Sequence, residues 1–410
     1  MNNCVEITSC ITCGHTDLIP TLDLQDQPLA NSFQKHAGVS PHDEWFPLAI
    51  NRCSNCDHLQ LTHAVDPELI YRNYLYVSGT SQTYLEYMAW YAEFANEQLS
   101  DPYVVKCVLD IGCNDGSQLD AFKKIGYSTF GVDPAKNLYH SSTAKGHTVW
   151  CDFWNAETAR YINNKFDIIT TQNAFAHIPD PLSYLILARE RLADHGRMFI
   201  STSQADMVLN GEFDTIYHEH ISYYNALSMK TLAERAGLYL IDVVKTPIHG
   251  TSYIFILAKQ PRNSRRIENI LAMENDLHKD ATYQAWASGV KTLLGNLKDQ
   301  LDDFRGFGYR VVGYGAAAKG MTLINASVIH LDCVVDDNPL KQGLYCPGTA
   351  IPVVSADYIR DMADTDTVVF VPLAWNFYTE IQKRIRSIRN NPNDLFLRYF
   401  PDIQVEHNES

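Results

Sequence analysis

The chain has 410 residues, of which 46% are hydrophobic and 20% charged, and its formal net charge is −15 at pH 7. This acidic balance, with no basic tract, argues against nonspecific binding to nucleic acid or to an anionic membrane. We find no apolar stretch of membrane-spanning length and no signal peptide, so we expect a cytoplasmic protein without a membrane partner. The length predicts two or three domains.

Two Cys-x-x-Cys pairs lie forty residues apart near the N-terminus, formed by Cys10 with Cys13 and by Cys53 with Cys56. Each pair places two thiolates on one tight turn, and two such turns close a tetrahedral zinc site. Four sulfur ligands leave no open coordination position, so the predicted metal is structural. The alternatives are unrelated cysteine pairs or a redox motif, and the paired spacing favours zinc. We therefore predict a zinc-binding domain over residues 1–70.

Residues 71–260 are predicted to form a second domain, in which strands alternate with helices after an amphipathic lead-in helix. The predicted strands are 105–110, 128–133, 147–151, 166–171, 196–202, 239–244 and 252–259, the last two forming a hairpin. This alternation is typical of a doubly wound parallel sheet with helices on both faces. Ligands of such sheets bind at the carboxyl ends of the strands.

The first of these strands ends at Asp110 and runs into the turn Gly112-Cys-Asn-Asp-Gly116. Its glycines allow a ligand to approach the main chain. The next strand ends at Asp133, where a carboxylate suits a ribose diol. The turn lacks the three-glycine phosphate fingerprint, and its acidic residues would repel a pyrophosphate. It suits a cationic nucleoside such as S-adenosylmethionine, although an ordinary strand–turn–helix would also explain it.

Two later loops carry titratable side chains. His177 follows the fourth strand, and Tyr217-His-Glu-His220 follows the fifth. In an extended backbone His218 and His220 would share one face. A histidine beside a carboxylate is a candidate general base, but two histidines and a glutamate can equally bind zinc or iron. A tyrosine-rich segment that includes Tyr76 is, taken alone, more typical of packing than of chemistry.

Residues 261–410 begin with a charged helical linker and continue with a second strand–glycine turn–helix unit. The pattern Gly313-Tyr-Gly315 is a weak dinucleotide signal, because the third glycine is not at its expected place. The helix start and Lys319 still suit a phosphate or diphosphate, and a glycine turn that serves only packing explains the pattern equally well. We expect the tail after about residue 404 to be frayed.

Together these motifs resemble the sugar C-methyltransferases that act on nucleotide-linked 4-keto-6-deoxyhexoses in the biosynthesis of branched deoxysugars. The resemblance covers nearly the whole chain and rests on the four cysteines and on residues 29–33, 74–79, 110–116, 173–178, 217–220 and 313–320. It implies an α/β protein with a small zinc-knuckle domain, a class I methyltransferase-type doubly wound sheet and a C-terminal Rossmann-like α/β domain.

The resemblance also implies a reaction. A base removes a proton from the carbon next to the 4-keto group, C3 in preference to C5, and the enolate takes the methyl group of S-adenosylmethionine. By this resemblance the base is His220. Glu219, Tyr217 and Tyr76 steady the enolate or the sugar, and His177 lies near the keto oxygen. No catalytic metal is then needed, which moves the histidine loop away from the metal-site interpretation.

The same resemblance implies contacts to the cofactor and to the substrate. It places Asp133 at the ribose hydroxyls and Asp152 with Phe153 beside the adenine. Around the methionine part it places Asp110, Gly112, Asn114 and Asn173, and at the diphosphate of the substrate it places Lys319 and Tyr314.

We expect one structural zinc ion, S-adenosylmethionine as cofactor, a nucleotide-linked keto-deoxysugar as substrate, and either a monomer or a homodimer. Two rival functions remain. One is a nucleotide-sugar oxidoreductase that uses the C-terminal glycine turn, and the other is a zinc-stabilised scaffold without catalytic activity.

Overall fold

The computed structural model describes residues 3–38, 44–72, 77–80, 82–99, 106–203, 206–248, 251–363 and 365–408. The chain divides into two compact units. The first comprises Met1–Pro20, Ile50–Asp206 and Glu219–His278, and the second comprises Thr21–Ala49, Met207–His218 and Lys279–Ser410.

The described strands follow one another along both units in this order: β1 Cys4–Glu6, β2 Leu18–Pro28, β3 Trp45–Cys53, β4 Leu59–Leu61, β5 His63–Val65, β6 Cys107–Ile111, β7 Ser128–Val132, β8 Thr148–Trp150, β9 Phe166–Gln172, β10 Leu192–Thr202, β11 Ser222–Tyr223, β12 Tyr239–Thr246, β13 Ser252–Ala258, β14 Arg310–Tyr314, β15 Cys333–Val335, β16 Val353–Val354, β17 Val368–Pro372, β18 Leu395–Arg398 and β19 Gln404–His407.

The described α-helices are α1 Pro67–Tyr71, α2 Gln82–Glu97, α3 Ser117–Lys124, α4 Lys136–Ala144, α5 Ala156–Arg160, α6 Pro181–Arg191, α7 Met207–Asn210, α8 Ala226–Arg235, α9 Arg265–Met273, α10 Asp280–Gly306, α11 Ala318–Ser327, α12 Asp357–Arg360 and α13 Tyr378–Ile388. Short 3₁₀ helices lie at Ser78–Thr80, Phe175–His177, Glu274–His278 and Trp375–Phe377. Of the helices among the described residues, none is long and apolar enough to cross a membrane.

A seven-stranded sheet forms the centre of the first unit, in the order β12-β13-β10-β9-β6-β7-β8. Strands β6 to β10 pair in parallel, and β13 is antiparallel to both of its neighbours. Successive strand residues point to opposite faces. Val108 accordingly packs in one apolar core and Leu109 in another, as do Ile168 and Ile169. Because apolar cores cover both faces of the sheet, its strands are apolar along nearly their whole length. The predicted doubly wound sheet is confirmed.

The cysteine-bearing part of the chain contains two small sheets. Strands β1 and β5, in the first unit, pair antiparallel, and a four-stranded sheet has the order β11-β4-β3-β2. Cys53 is the last residue of β3, and the turn that follows carries Cys56, the other member of the second cysteine pair.

The second unit contains a six-stranded sheet in the order β16-β15-β14-β17-β18-β19. Strand β14 lies near the centre and pairs in parallel with β15 and β17, as expected for a Rossmann-like arrangement. The prediction of a frayed tail is wrong. Residues Gln404–His407 form an edge strand, because they find backbone partners on Leu395–Arg398.

Candidate active site

The four predicted zinc ligands lie together in the first unit. The Sγ atoms of Cys10 and Cys56 are 3.6 Å apart, those of Cys13 and Cys53 are 3.5 Å apart, and all four lie within 4.8 Å of one another. A tetrahedral zinc ion with Zn–S bonds of about 2.3 Å needs sulfurs about 3.8 Å apart. The backbone N–H groups of Cys13 and Asn55 also donate to two of the sulfurs. The cluster therefore fits a closed, structural zinc site.

Two carboxylates lie at the carboxyl edge of the central sheet. Asp110, in β6, is 3% exposed, and its Oδ1 has no hydrogen-bond partner among the residues that the structure describes. Burial, with a smaller contribution from Asp133, raises the pKa of Asp110 to about 8. Burial also raises the pKa of Asp133, which follows β7. A positively charged ligand would stabilise the ionised form of both groups.

One of these carboxylates, Asp133, is hydrogen-bonded to the glycine turn. Asp133 accepts hydrogen bonds from the N–H of Asn114 at 2.8 Å and from that of Ala135 at 2.9 Å. Gly112 has φ +87°, and a Cβ added there would lie 2.7 Å from the Cβ of Ala174. Only glycine fits this position, because both its backbone angle and its contact exclude a side chain. The turn thus packs directly against the loop that carries His177.

Asparagine side chains line the same edge. Asn173 has φ +53°, its Nδ2 donates to the Tyr84 hydroxyl at 3.2 Å, and its buried Oδ1 has no partner among the described residues. Asn114 accepts a hydrogen bond from the N–H of Ser78 at 3.0 Å, so residues 77–80 lie on the glycine turn. The predicted catalytic residue Tyr76 lies outside the described residues.

The predicted adenine contacts lie after β8. The carboxylate of Asp152 accepts a hydrogen bond from the N–H of Phe153 at 2.8 Å. The guanidinium of Arg72 lies 4.7 Å from the centroid of the Phe153 ring, and its Nη2 is 3.4 Å from Asp152 Oδ1. Sequence reasoning missed Arg72, which no local motif distinguishes from the other arginines of the chain.

A stack of three rings connects the two histidine-bearing loops. The His177 ring lies 5.3 Å from that of Tyr71, at an interplanar angle of 10°, and 5.2 Å from that of His220, at 28°. The Tyr71 hydroxyl also donates to the backbone carbonyl of Glu219 at 3.2 Å. The structure thus brings together the predicted His177, Glu219 and His220. It adds Tyr71, which sequence reasoning missed within its tyrosine-rich segment.

His177 is in its neutral form at physiological pH, because burial lowers its pKa to about 4. Its Nε2 is buried and has no hydrogen-bond partner among the described residues. A neutral imidazole carries one N–H donor. His177 can therefore offer an uncharged donor to a ligand oxygen.

The Tyr217-His-Glu-His220 segment is not extended. It consists of turns and bends, so the expected alternation of His218 and His220 on one face does not occur. His218 instead donates from Nε2 to the carbonyl of Phe46 at 3.2 Å, within the second unit. Burial lowers its pKa to about 4. Among the described residues, the four cysteines are the only group with metal-ligand geometry.

The C-terminal glycine turn, within the second unit, makes internal hydrogen bonds. The N–H of Ala316 donates to Asp336 at 2.7 Å, and this is one of the N–H groups that a bound phosphate would use. The predicted substrate ligand Tyr314 donates to Asp337 at 3.0 Å, a carboxylate that also pairs with Arg384. Burial, followed by the charge of Asp337, raises the pKa of Tyr314 to about 12. One N–H of the turn and the Tyr314 hydroxyl are therefore hydrogen-bonded to carboxylates of the same unit.

The other predicted diphosphate ligand, Lys319, faces an acidic side chain. Its Nζ lies 3.9 Å from Oδ1 of Asp214 and 5.1 Å from the centroid of the Trp375 ring. Within the part of the chain that the structure describes, this ammonium therefore faces a carboxylate of the same unit.

Comparison with known proteins gives matches along the whole chain. Three family models match in sequence: "Putative zinc binding domain" over residues 10–71, "Methyltransferase domain" over 81–243 and "C-methyltransferase C-terminal domain" over 247–401. The C-methyltransferase NovU from Streptomyces niveus is 28% identical over 422 residues, which cover 98% of each protein.

Other similarities cover less of the chain. A ubiquinone biosynthesis O-methyltransferase from Coxiella burnetii is 25% identical over 171 residues, which cover 38% of this chain and 72% of that enzyme. Among solved structures, an S-adenosylmethionine-dependent methyltransferase from Clostridium acetobutylicum has 15% identity and a TM-score of 0.35, and the match covers 43% of this chain and 92% of the other.

Proposed function

Since the chain belongs to the family of S-adenosylmethionine-dependent C-methyltransferases with an N-terminal zinc-binding domain, we propose that it methylates a nucleotide-diphosphate-linked 4-keto-6-deoxyhexose. The methylated carbon is the one next to the ketone, C3 in preference to C5. One observation carries the proposal: a neutral His177, whose Nε2 is buried, is stacked on His220, in the same unit as the acidic edge proposed to bind the cofactor.

The acidic edge is suited to the cofactor. When bound, S-adenosylmethionine supplies a methyl group on a positively charged sulfur. Asp110 and Asn173 each present a buried oxygen that has no partner among the described residues, and such oxygens accept hydrogen bonds or face positive charge. We place Asp133 at the ribose, Asp152 and Phe153 beside the adenine, and the turn around Gly112 and Asn114 at the methionine part.

Removal of a proton next to a ketone requires a base and a donor for the developing oxyanion. We assign the base to His220, which is 4% exposed. We assign the donor to Nε2 of His177, which can bear a proton without bearing a charge. A neutral donor is suited to enolate chemistry, because it stabilises the oxyanion without first protonating the base beside it. Glu219, Tyr217 and Tyr76 are proposed to steady the enolate or the sugar.

Labelled S-adenosylmethionine and a panel of nucleotide-linked 4-keto-6-deoxysugars provide the test. We expect label transfer to carbon and, in deuterium oxide, solvent exchange at the carbon that is methylated. His220→Asn should abolish both while calorimetry still detects cofactor binding. His140→Asn, on an exposed position of α4, is the matched control and should retain activity.

Two results would contradict the proposal. Binding of NAD(H) without binding of S-adenosylmethionine or its demethylated product would favour the oxidoreductase reading. Unchanged turnover in His220→Asn would remove His220 as the base.

A further inference from the structure

Asp214 is a buried carboxylate in the second unit, 1% exposed. One of its oxygens, Oδ2, accepts hydrogen bonds from Trp375 Nε1 at 2.9 Å and from the Tyr399 hydroxyl at 2.7 Å. Its other oxygen, Oδ1, lies 3.9 Å from Lys319 Nζ. Removing one partner of a buried ion pair leaves an uncompensated charge, which is strongly unfavourable. Neither Lys319 Nζ nor Asp214 Oδ1 has a hydrogen-bond partner among the described residues, so each atom is the opposite charge that the other faces.

Lys319 lies in the first turn of α11, directly after the glycine turn. A phosphate placed beside its ammonium would also approach the carboxylate of Asp214, and like charges at this distance repel. The N–H of Ala316 in the same turn is already bonded to Asp336. One N–H that would bind a diphosphate here is thus used within the protein. The Lys319 ammonium has no hydrogen-bond partner among the described residues, and it faces the carboxylate of Asp214.

Asp214 belongs to residues 212–218. Every second residue of this segment, from Glu212 to His218, is hydrogen-bonded to another part of the second unit. The carbonyl of Glu212 accepts a hydrogen bond from Trp286 Nε1 at 2.9 Å, and that of Ile216 accepts one from the Thr322 hydroxyl at 3.0 Å. At the end of the segment His218 donates to the carbonyl of Phe46 at 3.2 Å. Like Lys319, Thr322 is part of α11.

We infer that Lys319 and Asp214 are positioning residues, through which the C-terminal glycine turn and α11 hold residues 212–218 in place. The next two residues along the chain are Glu219 and His220, so residues 212–218 lead directly into the proposed base. The inference rests on the proposed function, in which His220 is the base. A displacement of about 1 Å at a reacting group can cost on the order of a hundredfold in rate.

A double-mutant cycle separates this role from diphosphate binding. We expect Lys319→Met and Asp214→Asn each to lower kcat about tenfold or more, and the double variant to be no worse than either, because coupled residues are not additive. Affinity for S-adenosylmethionine and for the probe uridine diphosphate should stay unchanged. Lys319→Arg should recover much of the lost kcat. Lys291→Met, at an exposed position of α10, is the matched control.

The opposite pattern overturns the inference. In that pattern, Lys319→Met raises KM and weakens the binding of uridine diphosphate while kcat is unchanged, and Asp214→Asn has no such effect. Should Lys319→Met fail to fold, Thr322→Val removes the donor to Ile216 and carries the test. Lower kcat with unchanged probe binding supports the inference, and unchanged kcat contradicts it.

Amide hydrogen exchange provides a readout that does not depend on the substrate. Lys319→Met should accelerate exchange in peptides that span residues 212–220 and leave those of the central sheet unchanged. If the wild-type protein methylates none of the tested sugars, the proposed function fails while this result still decides the positioning role. Unchanged exchange in 212–220 would refute the positioning role by itself.

Discussion

Asp110 predicts how the affinity for the cofactor depends on pH. Burial, with help from Asp133, raises its pKa to about 8, so the cofactor-free protein carries a proton there at neutral pH. The positive groups of the cofactor favour the carboxylate, so binding below pH 8 releases this proton, and affinity rises as pH rises. The ionised fraction grows from about 1% at pH 6 to about 50% at pH 8, which predicts a gain in affinity of roughly fiftyfold.

Titration calorimetry with S-adenosylmethionine between pH 6 and pH 8 measures this dependence. Repeating it at pH 7 in buffers of different ionisation enthalpy should show release of almost one proton per site. The α-amino group of the cofactor titrates in the same range, so Asp110→Asn, which cannot ionise, is the necessary control. Equal pH slopes for the wild type and Asp110→Asn would refute the reasoning.

Asp110 also affects the stability of the protein without cofactor. The folded-state pKa of Asp110 is raised from its ordinary 3.8, so the folded state retains a proton that the unfolded state loses. The contribution of Asp110 to the free energy of unfolding is therefore fully present below about pH 4, and it declines as pH rises towards about 8.

Three further predictions concern the turn, the ribose contact and the metal. Asp133→Ala should weaken binding of S-adenosylmethionine on the order of tenfold or more in calorimetry, since charge-assisted hydrogen bonds are lost; unchanged affinity would exclude the ribose contact. Cys53→Ser should lower both the Tm and the zinc content, which elemental analysis should give as one ion per chain in the parent. A zinc-free parent would contradict the metal site. Gly112→Ala should lower the free energy of unfolding by about 1–3 kcal/mol in chemical denaturation and weaken cofactor binding. Gly38 has a similar φ of +81°, but a Cβ added there would have no atom within 4 Å, so Gly38→Ala measures the backbone strain without a clash. Equal losses in the free energy of unfolding in both variants would refute the contact between Gly112 and Ala174.

The sequence predicts the sheet of the first unit well, because its signal is local. Buried parallel strands show as short apolar runs, and Val108 with Leu109 or Ile168 with Ile169 fill cores on the two faces. The edge strand at Gln404–His407 lacks such a signal. Its partner on β18 makes it a strand, and that pairing is a tertiary effect.

The candidate site likewise contains some residues that a local sequence pattern marks and others that are placed by contacts distant in sequence. The spacing of the four cysteines is enough to predict a zinc site, and Asp110 and Asp133 are marked by the ends of their strands. The conformation of residues 212–218 is set by partners distant in sequence. Trp286 is 74 positions from Glu212, Thr322 is 106 from Ile216 and Phe46 is 172 from His218. No local pattern reports such contacts, and the same is true of Tyr71, which lies 148 positions from Glu219.

The close contact between Gly112 and Ala174 limits how substrate range can change in this protein. The main chain of the glycine turn at Gly112 lies against the methyl group of Ala174, so a larger side chain at 174 would push this turn out of place. Variation in the loop of His177 is therefore tolerated at exposed positions such as Pro179 and resisted at Ala174. In a library that randomises residues 173–180 and selects for methylation of new sugars, position 174 should return only alanine or glycine.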